Sequence, residues 1–152
     1  MEFLLTPPPE EREANIEHGI KVFSIISGPG FPYDEEWLRN FIAQSYDRSY
    51  NPEGTARQFV AILAQKNRRP ELKLLSTPAL VIHGAADPLV LVEGGKNTAA
   101  DIPGAELMII DGMGHDRPHG GAWPIIIDAI ADFTRKISIT HPSPVDRTND
   151  CY

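Results

Sequence analysis

Two short, unbroken apolar runs constrain this chain more than any other feature. The first is Thr77-Pro78-Ala-Leu-Val-Ile-His83-Gly84 and the second is Glu106-Leu-Met-Ile-Ile-Asp111. Neither alternates polar with apolar residues, and each ends in residues that break a strand. Such runs suit strands covered on both faces of a parallel sheet. Parallel strands need a crossover, and the segment between the runs provides one: a helix is expected near Leu91–Ala100, followed by a Pro103-Gly104 turn. A glycine-rich loop, Gly112–Trp123, and an amphipathic helix over Pro124–Lys136 complete the pattern. Residues 77–136 thus read strand, helix, strand, loop, helix, with a right-handed crossover.

The preceding segment has a different period. Pro7-Pro8-Pro9 can end a linker and open a helix. Glu10, Glu11 and Glu13 suit its positive end, and Ile16, Ile20, Phe23 and Ile26 repeat at helical spacing over about residues 9–27. Gly28-Pro29-Gly30 stops it. Asp34 is placed to cap a second helix over residues 35–48, with Trp37, Leu38, Phe41, Ile42 and Tyr46 on its apolar face. Asn51-Pro52 opens a third helix to about Lys66, with Phe59, Ile62 and Leu63 as its buried side. The expected division is residues 1–70 as a helical region, 71–136 as the α/β segment and 137–152 as a loose tail.

Composition narrows the partners. The 152 residues carry a formal net charge of −7. Phosphate binding relies on lysines and arginines that release counterions, so no nucleic-acid partner is expected. The one basic cluster, Lys66–Arg69, reads as a solvated helix end. The single cysteine, Cys151, cannot form a disulfide within the chain. The opening MEFLLTPPPEE lacks a signal-peptide pattern, and no apolar stretch approaches the roughly 18 residues of a membrane helix. No membrane association and a cytoplasmic location are therefore the expectations.

Two residues carry chemistry in this layout. Asp87 follows the first strand in His83-Gly-Ala-Ala-Asp-Pro88, at the carboxyl end where parallel sheets bind ligands. A carboxylate there can hold a histidine tautomer. The same residue can equally cap the following helix. His115 follows the second strand in Asp111-Gly-Met-Gly-His-Asp116. Its imidazole can take and return a proton near neutral pH, or it can be an ordinary loop histidine. Together they are more telling: they stand 28 residues apart, one strand–helix–strand passage, so both emerge at one sheet edge. The order acid, then histidine, is the tail of the order Ser…Asp…His.

The residues Pro78–Val90 with Gly112–Asp116 resemble the α/β-hydrolase superfamily. The stretches Ile26–Asp34, Ala43–Tyr50 and Ala56–Leu63 resemble the lid region of bacterial esterase-like hydrolases related to aclacinomycin methylesterase. The resemblance covers about residues 5–136. It implies a partial α/β-hydrolase fold: a helical lid over residues 1–70, then a β-α-β-α unit with two parallel strands. It also implies carboxylic-ester hydrolysis, with Asp87 as triad acid and His115 as triad base, a small-molecule ester as substrate and no cofactor.

One part of the family pattern does not occur in these residues. Ser24, Ser27, Ser45, Ser49, Ser76, Ser138 and Ser143 all lack the Gly-x-Ser-x-Gly setting that exposes a nucleophile on a strand-to-helix turn. Cys151 is poorly placed to replace it. The chain alone is therefore expected to be inactive, as a truncated hydrolase whose nucleophile comes from a complementing N-terminal half. The alternative is a non-catalytic remnant acting as a binding or interaction module. Two strands leave an open edge, so self-association is also expected. His115, Asp116 and His119 have a spacing that could chelate a metal on a helix. Arg117-Pro118 between them argues for a loop, and no metal is expected. His18, His83 and His141 have no evident partners, and Gly94-Gly95-Lys96 lies in a helical stretch rather than a phosphate loop.

Overall fold

A computed structural model of the chain describes residues 6–115 and 120–140, with side chains through 137. Helix α1 (Arg12–Ile26) starts three residues after the prolines rather than on them. Its cap is Glu11, whose carboxylate accepts the backbone N–H groups of Glu13 and Ala14 at 3.0 and 2.7 Å. The prolines instead form an extended strap. The Pro8 and Pro9 carbonyls accept hydrogen bonds from Tyr50 Oη and Asn15 Nδ2. Proline offers no N–H, so such a strap is held through its carbonyls alone.

Helix α2 (Glu35–Arg48) begins where the Asp34 cap places it, with Asp34 Oδ1 accepting from Trp37 N at 2.8 Å. It packs on α1 through Ile16, Leu38 and Ile42, flanked by Ile20, Phe23, Tyr33, Phe41 and Ala43. Gly19 lets Ile42 approach to a distance a larger side chain would obstruct. At the rim Arg39 pairs with Glu13 and Glu17, and Arg12 with Asp47. Exposed pairs of this kind add little to stability, so the apolar seam holds the two helices together.

Helix α3 (Pro52–Leu63) has the expected Asn51 cap but not the expected burial. Phe59, Ile62 and Leu63 are all exposed, Leu63 to 71%. The helix has an apolar face, and among the described residues nothing covers it. A short turn, α4 (Arg69–Leu72), follows. The Lys66–Arg69 cluster is more than a solvated end, because Arg69 forks onto Asp101 at 2.5 and 3.1 Å. Asp101 is only 5% exposed, and this fork ties the end of the helical block to the next segment.

Strands β1 (Leu80–Gly84) and β2 (Glu106–Ile110) pair in parallel, Leu80 opposite Glu106 and Gly84 opposite Ile110. Helix α5 (Val92–Asp101) joins them, and α6 (Ala122–Thr140) follows the second. Ile82, Met108 and Ile110 face α6, where Ala122 and Ile126 close a small core with Phe31 and Met113. Val81, His83, Leu107 and Ile109 take the other face by strand alternation. The cover on that face is incomplete: Leu107 and Ile109 are exposed, against the expectation of strands enclosed on both sides. The sheet has only these two strands among the described residues, which is too few to seal a core. Helix α6 runs through Thr140, past the expected boundary near residue 136, and the rest of the expected tail lies outside the described residues. No helix among the described residues is long and apolar enough to cross a membrane.

Candidate active site

Parallel pairing brings the carboxyl ends of β1 and β2 side by side, and the two residues picked from the sequence meet there. His115 Nδ1 lies 2.9 Å from Asp87 Oδ2. A carboxylate oxygen only accepts, so Nδ1 carries the hydrogen and Nε2 is left as the basic nitrogen. The other carboxylate oxygen is also engaged. Asp87 Oδ1 accepts the backbone N–H groups of Leu89 and Val90, both at 2.8 Å. The two readings of Asp87 are thus divided between its two oxygens, one fastening its own turn and one facing the histidine. It is not the cap of α5, which begins at Val92 after Leu91.

The Asp87 side chain is 7% exposed, and His115 is 46% exposed. Burial acts to raise the Asp87 carboxyl. Hydrogen bonds from Val90 N–H, His115 and Leu89 N–H outweigh it, together with attraction to the His115 ring. The carboxyl is therefore held below its ordinary value of 3.8. An ionised, anchored carboxylate beside an accessible imidazole can fix the tautomer and steady an imidazolium.

The backbone that carries His115 is strapped on two sides. His115 N donates to Ile26 O at 2.7 Å and Gly114 N to Ser27 O at 2.8 Å, while Gly30 N donates to Gly112 O at 2.9 Å. On the other side, Ala85 N and Ala86 N donate to Ile110 O and Met113 O, both at 2.9 Å. The loop is therefore clamped between the turn that ends α1 and the end of β1. Such contact requires glycine. A Cβ on Gly114 would sit 2.1 Å from Ile26 O, and one on Gly84 would sit 2.2 Å from Met113 O. The role of these glycines is the close approach of three backbone segments. The clustering of Gly28 and Gly30 with Gly112 and Gly114 was the available signal, but nothing in one dimension says which glycines meet.

Ser27, the serine with glycines nearest after it, is buried at the end of α1 and donates to Phe23 O at 2.8 Å. It is a helix-end residue in a structural bond. Asp116 and His119, weighed as metal ligands, lie outside the described residues, as does His141. His83, left without a partner by the sequence, has one: its Nε2 is 2.8 Å from Val90 O.

Asp87, His115 and His83 line a cavity of about 580 Å³, walled by Phe23, Phe41 and Val90 among others. Phe23 packs edge-on against Phe41 at 6.4 Å between ring centres, and Phe41 stacks on Trp37 at 5.7 Å. The helical block thus presents an aromatic wall to the acid–histidine pair, as a pocket for an apolar group requires. A second cleft of about 620 Å³, between Trp37 and Trp123, contains the carboxylates Asp34 and Glu36 and, among the described residues, no histidine.

The chain has recognisable relatives. The family described as the alpha/beta hydrolase fold matches residues 3–118. Rhodomycin D methylesterase DnrP of Streptomyces peucetius is 27% identical over 138 residues, which is 90% of this chain and 45% of that protein. Rhodomycin D methylesterase DauP of Streptomyces sp. (strain C5) is 26% identical over 141 residues, 91% of this chain and 46% of that protein. The chain spans somewhat less than half the length of these curated relatives. Among solved structures, an esterase from Rhodococcus sp. superposes with a TM-score of 0.60 at 19% identity, covering 88% of this chain and 46% of that one. A serine hydrolase involved in carbazole degradation superposes with a TM-score of 0.54 at 17% identity, covering 82% and 46%. These likenesses show a shared fold, and the match over most of its length shows that the chain belongs to the α/β-hydrolase family and holds part of that fold.

Proposed function

We propose that this chain carries the acid and the base of a carboxylic-ester hydrolase, Asp87 and His115, and works with a serine supplied from outside these 152 residues. The observation that carries the reading is the 2.9 Å contact between His115 Nδ1 and Asp87 Oδ2 at the carboxyl edge of a parallel sheet. Asp87 keeps the proton on Nδ1. His115 Nε2 then takes the proton of an attacking serine hydroxyl and later delivers it to the leaving alcohol. Residues 1–70 serve as the lid, with Phe23 and Phe41 forming part of the wall for the apolar portion of a small-molecule ester. The rhodomycin D methylesterase relatives point to an ester as the substrate class. Residues 71–136 are the core segment.

No serine of the chain sits in a Gly-x-Ser-x-Gly turn. The nucleophile and the oxyanion-stabilising N–H donors therefore belong to a complementing N-terminal half, either the preceding part of a longer protein or a separate polypeptide. Among the described residues one edge of β1 and faces of α3 and β2 are uncovered, which supports such a partner. A cytoplasmic setting fits a chain with one cysteine and no possible internal disulfide.

The test is hydrolysis of p-nitrophenyl acetate by the chain alone and together with the polypeptide encoded immediately upstream. The expected result is background hydrolysis alone and turnover with the partner, lowered about 10⁴-fold or more by His115→Ala. Partnered turnover that ignores His115→Ala would remove the histidine from the mechanism. No turnover with any partner would favour the alternative, a non-catalytic binding module.

A further inference from the structure

His83 lies on the edge of the same cavity but outside the acid–base pair. It sits at the end of β1, four residues before Asp87, with a side chain only 13% exposed. Its Nε2 is 2.8 Å from the Val90 carbonyl oxygen. A carbonyl cannot donate, so Nε2 carries a hydrogen and gives it to Val90. Val90 in turn gives its own N–H to Asp87 Oδ1. One peptide-bonded residue therefore links the two side chains: His83 grips the C=O of Val90 and Asp87 grips its N–H. Asp87 Oδ2 is 3.7 Å from His83 Nε2, beyond hydrogen-bonding reach, so the linkage runs through the turn rather than directly.

The ring is also wedged from behind. Helix α5 presents Gly95 to it, and a Cβ there would lie 2.7 Å from His83 Nδ1 and 2.9 Å from its Cβ. Those are atoms at the base of the ring as well as its edge, so the side chain has little freedom to swing aside. Gly95 is itself buried. The strand end, the turn after it and the following helix thus meet at one imidazole.

We propose that His83 is a positioning residue: by holding the Val90 carbonyl it keeps the Asp87–Val90 turn in the form that presents Asp87 Oδ2 to His115. The inference rests on the acid–base reading of Asp87 and His115 and adds to it the part that holds the acid still. His83 touches neither substrate nor the reacting atoms in this role.

Two signals on the full chain read it without requiring turnover. One is hydrogen exchange at the Leu89 and Val90 amides, which reports the turn. The other is the carboxyl titration of Asp87 followed by carbon NMR, which reports the acid. His83→Phe keeps a ring of similar bulk and removes the donor. It is expected to speed exchange at both amides by about tenfold, the equilibrium equivalent of one lost hydrogen bond, and to move the Asp87 titration upward. His83→Gln retains an N–H donor and restores both signals in part. Gly95→Ala leaves the donor present but displaces the ring, and shifts both signals in the direction of His83→Phe. If His83→Phe fails to fold, the glutamine and Gly95 variants still decide the matter.

Unchanged exchange in His83→Phe would overturn the proposal. Equal disturbance by Phe and Gln would reduce His83 to packing and also overturn it. His115→Ala separates the two readings: it should move the Asp87 titration while leaving the Leu89 and Val90 amides protected. A titration indifferent to His115 would sink the acid–base pair, and the amides would still decide the role of His83.

Discussion

Replacing Gly114 with alanine should disable the site without touching either member of the pair. The added Cβ would lie 2.1 Å from Ile26 O, 2.3 Å from Ser27 C and 2.5 Å from Gly28 N, where ordinary contact begins at 3.4 Å. All three neighbours are backbone, so no side chain can rotate to make room. The two segments must part by roughly 1 Å, and repulsion at that overlap far exceeds any dispersion gain from a methyl group. Parting them breaks the Gly114 N–Ser27 O and His115 N–Ile26 O bonds. Each contributes about 1 kcal/mol net, and overpacking adds about 1–3 kcal/mol. The expected loss is about 3–5 kcal/mol, a large share of the 5–15 kcal/mol typical of a folded domain. With a urea slope of about 2 kcal/mol/M for a chain of this size, the midpoint should fall by roughly 2 M. The same parting moves His115 away from Asp87, and displacement of about 1 Å costs on the order of 100-fold in turnover. The assay is urea unfolding followed by circular dichroism, with hydrolysis by the complemented enzyme beside it. Gly104→Ala is the control: Gly104 has φ of +73° but nothing within 4 Å of an added Cβ. It should cost only about 1–2 kcal/mol of backbone strain and leave hydrolysis per folded molecule unchanged. A Gly114→Ala midpoint equal to wild type, with turnover intact, would refute the idea that close backbone contact holds the loop.

Leu38→Ala, at a side chain 1% exposed in the α1–α2 seam, should cost about 2–5 kcal/mol in the same unfolding assay; a loss below about 1 kcal/mol would mean that the seam does not hold the helices. Acid should weaken the fold partly through Asp87. Its folded carboxyl titrates below the ordinary 3.8, so its stabilisation is complete above that value and is lost as pH falls through the depressed one. Asp87→Asn should therefore lower the urea midpoint near neutral pH and have less effect once the pH has fallen through the depressed value; an equal effect at both would refute the linkage. The isolated chain, with one edge of β1 unpaired among the described residues and apolar side chains exposed on α3 and α6, should self-associate. Sedimentation showing only monomer would count against this.

Local signals in the sequence carried much of the fold. Asp34 and Asn51 accept the N–H groups that a cap must accept, because capping depends on a side chain and the three residues after it. The unbroken apolar runs became parallel strands, since no other short element tolerates apolar residues at every position while feeding a crossover helix. Boundaries moved where side chains from far along the chain intervened. Tyr50 and Asn15 hold the prolines outside α1, and Arg69 leaves its basic cluster for Asp101. Burial of α3 was misjudged because periodicity shows that a face is apolar, not that anything lies against it.

By itself, the order of residues pointed to two parallel strands joined by one helix, with an acid after the first and a histidine after the second, because unbroken apolar runs linked by a helical crossover suit a parallel sheet. Only the tertiary structure decided that they touch, that Asp87 shares its oxygens between a turn and His115, and that His83 reaches the turn from the side. The reason is physical. Hydrogen-bond contact is a matter of tenths of an ångström, and those are set where the end of α1, the end of β1 and the glycine loop press together. The three segments are far apart in the chain and become neighbours only when it has folded.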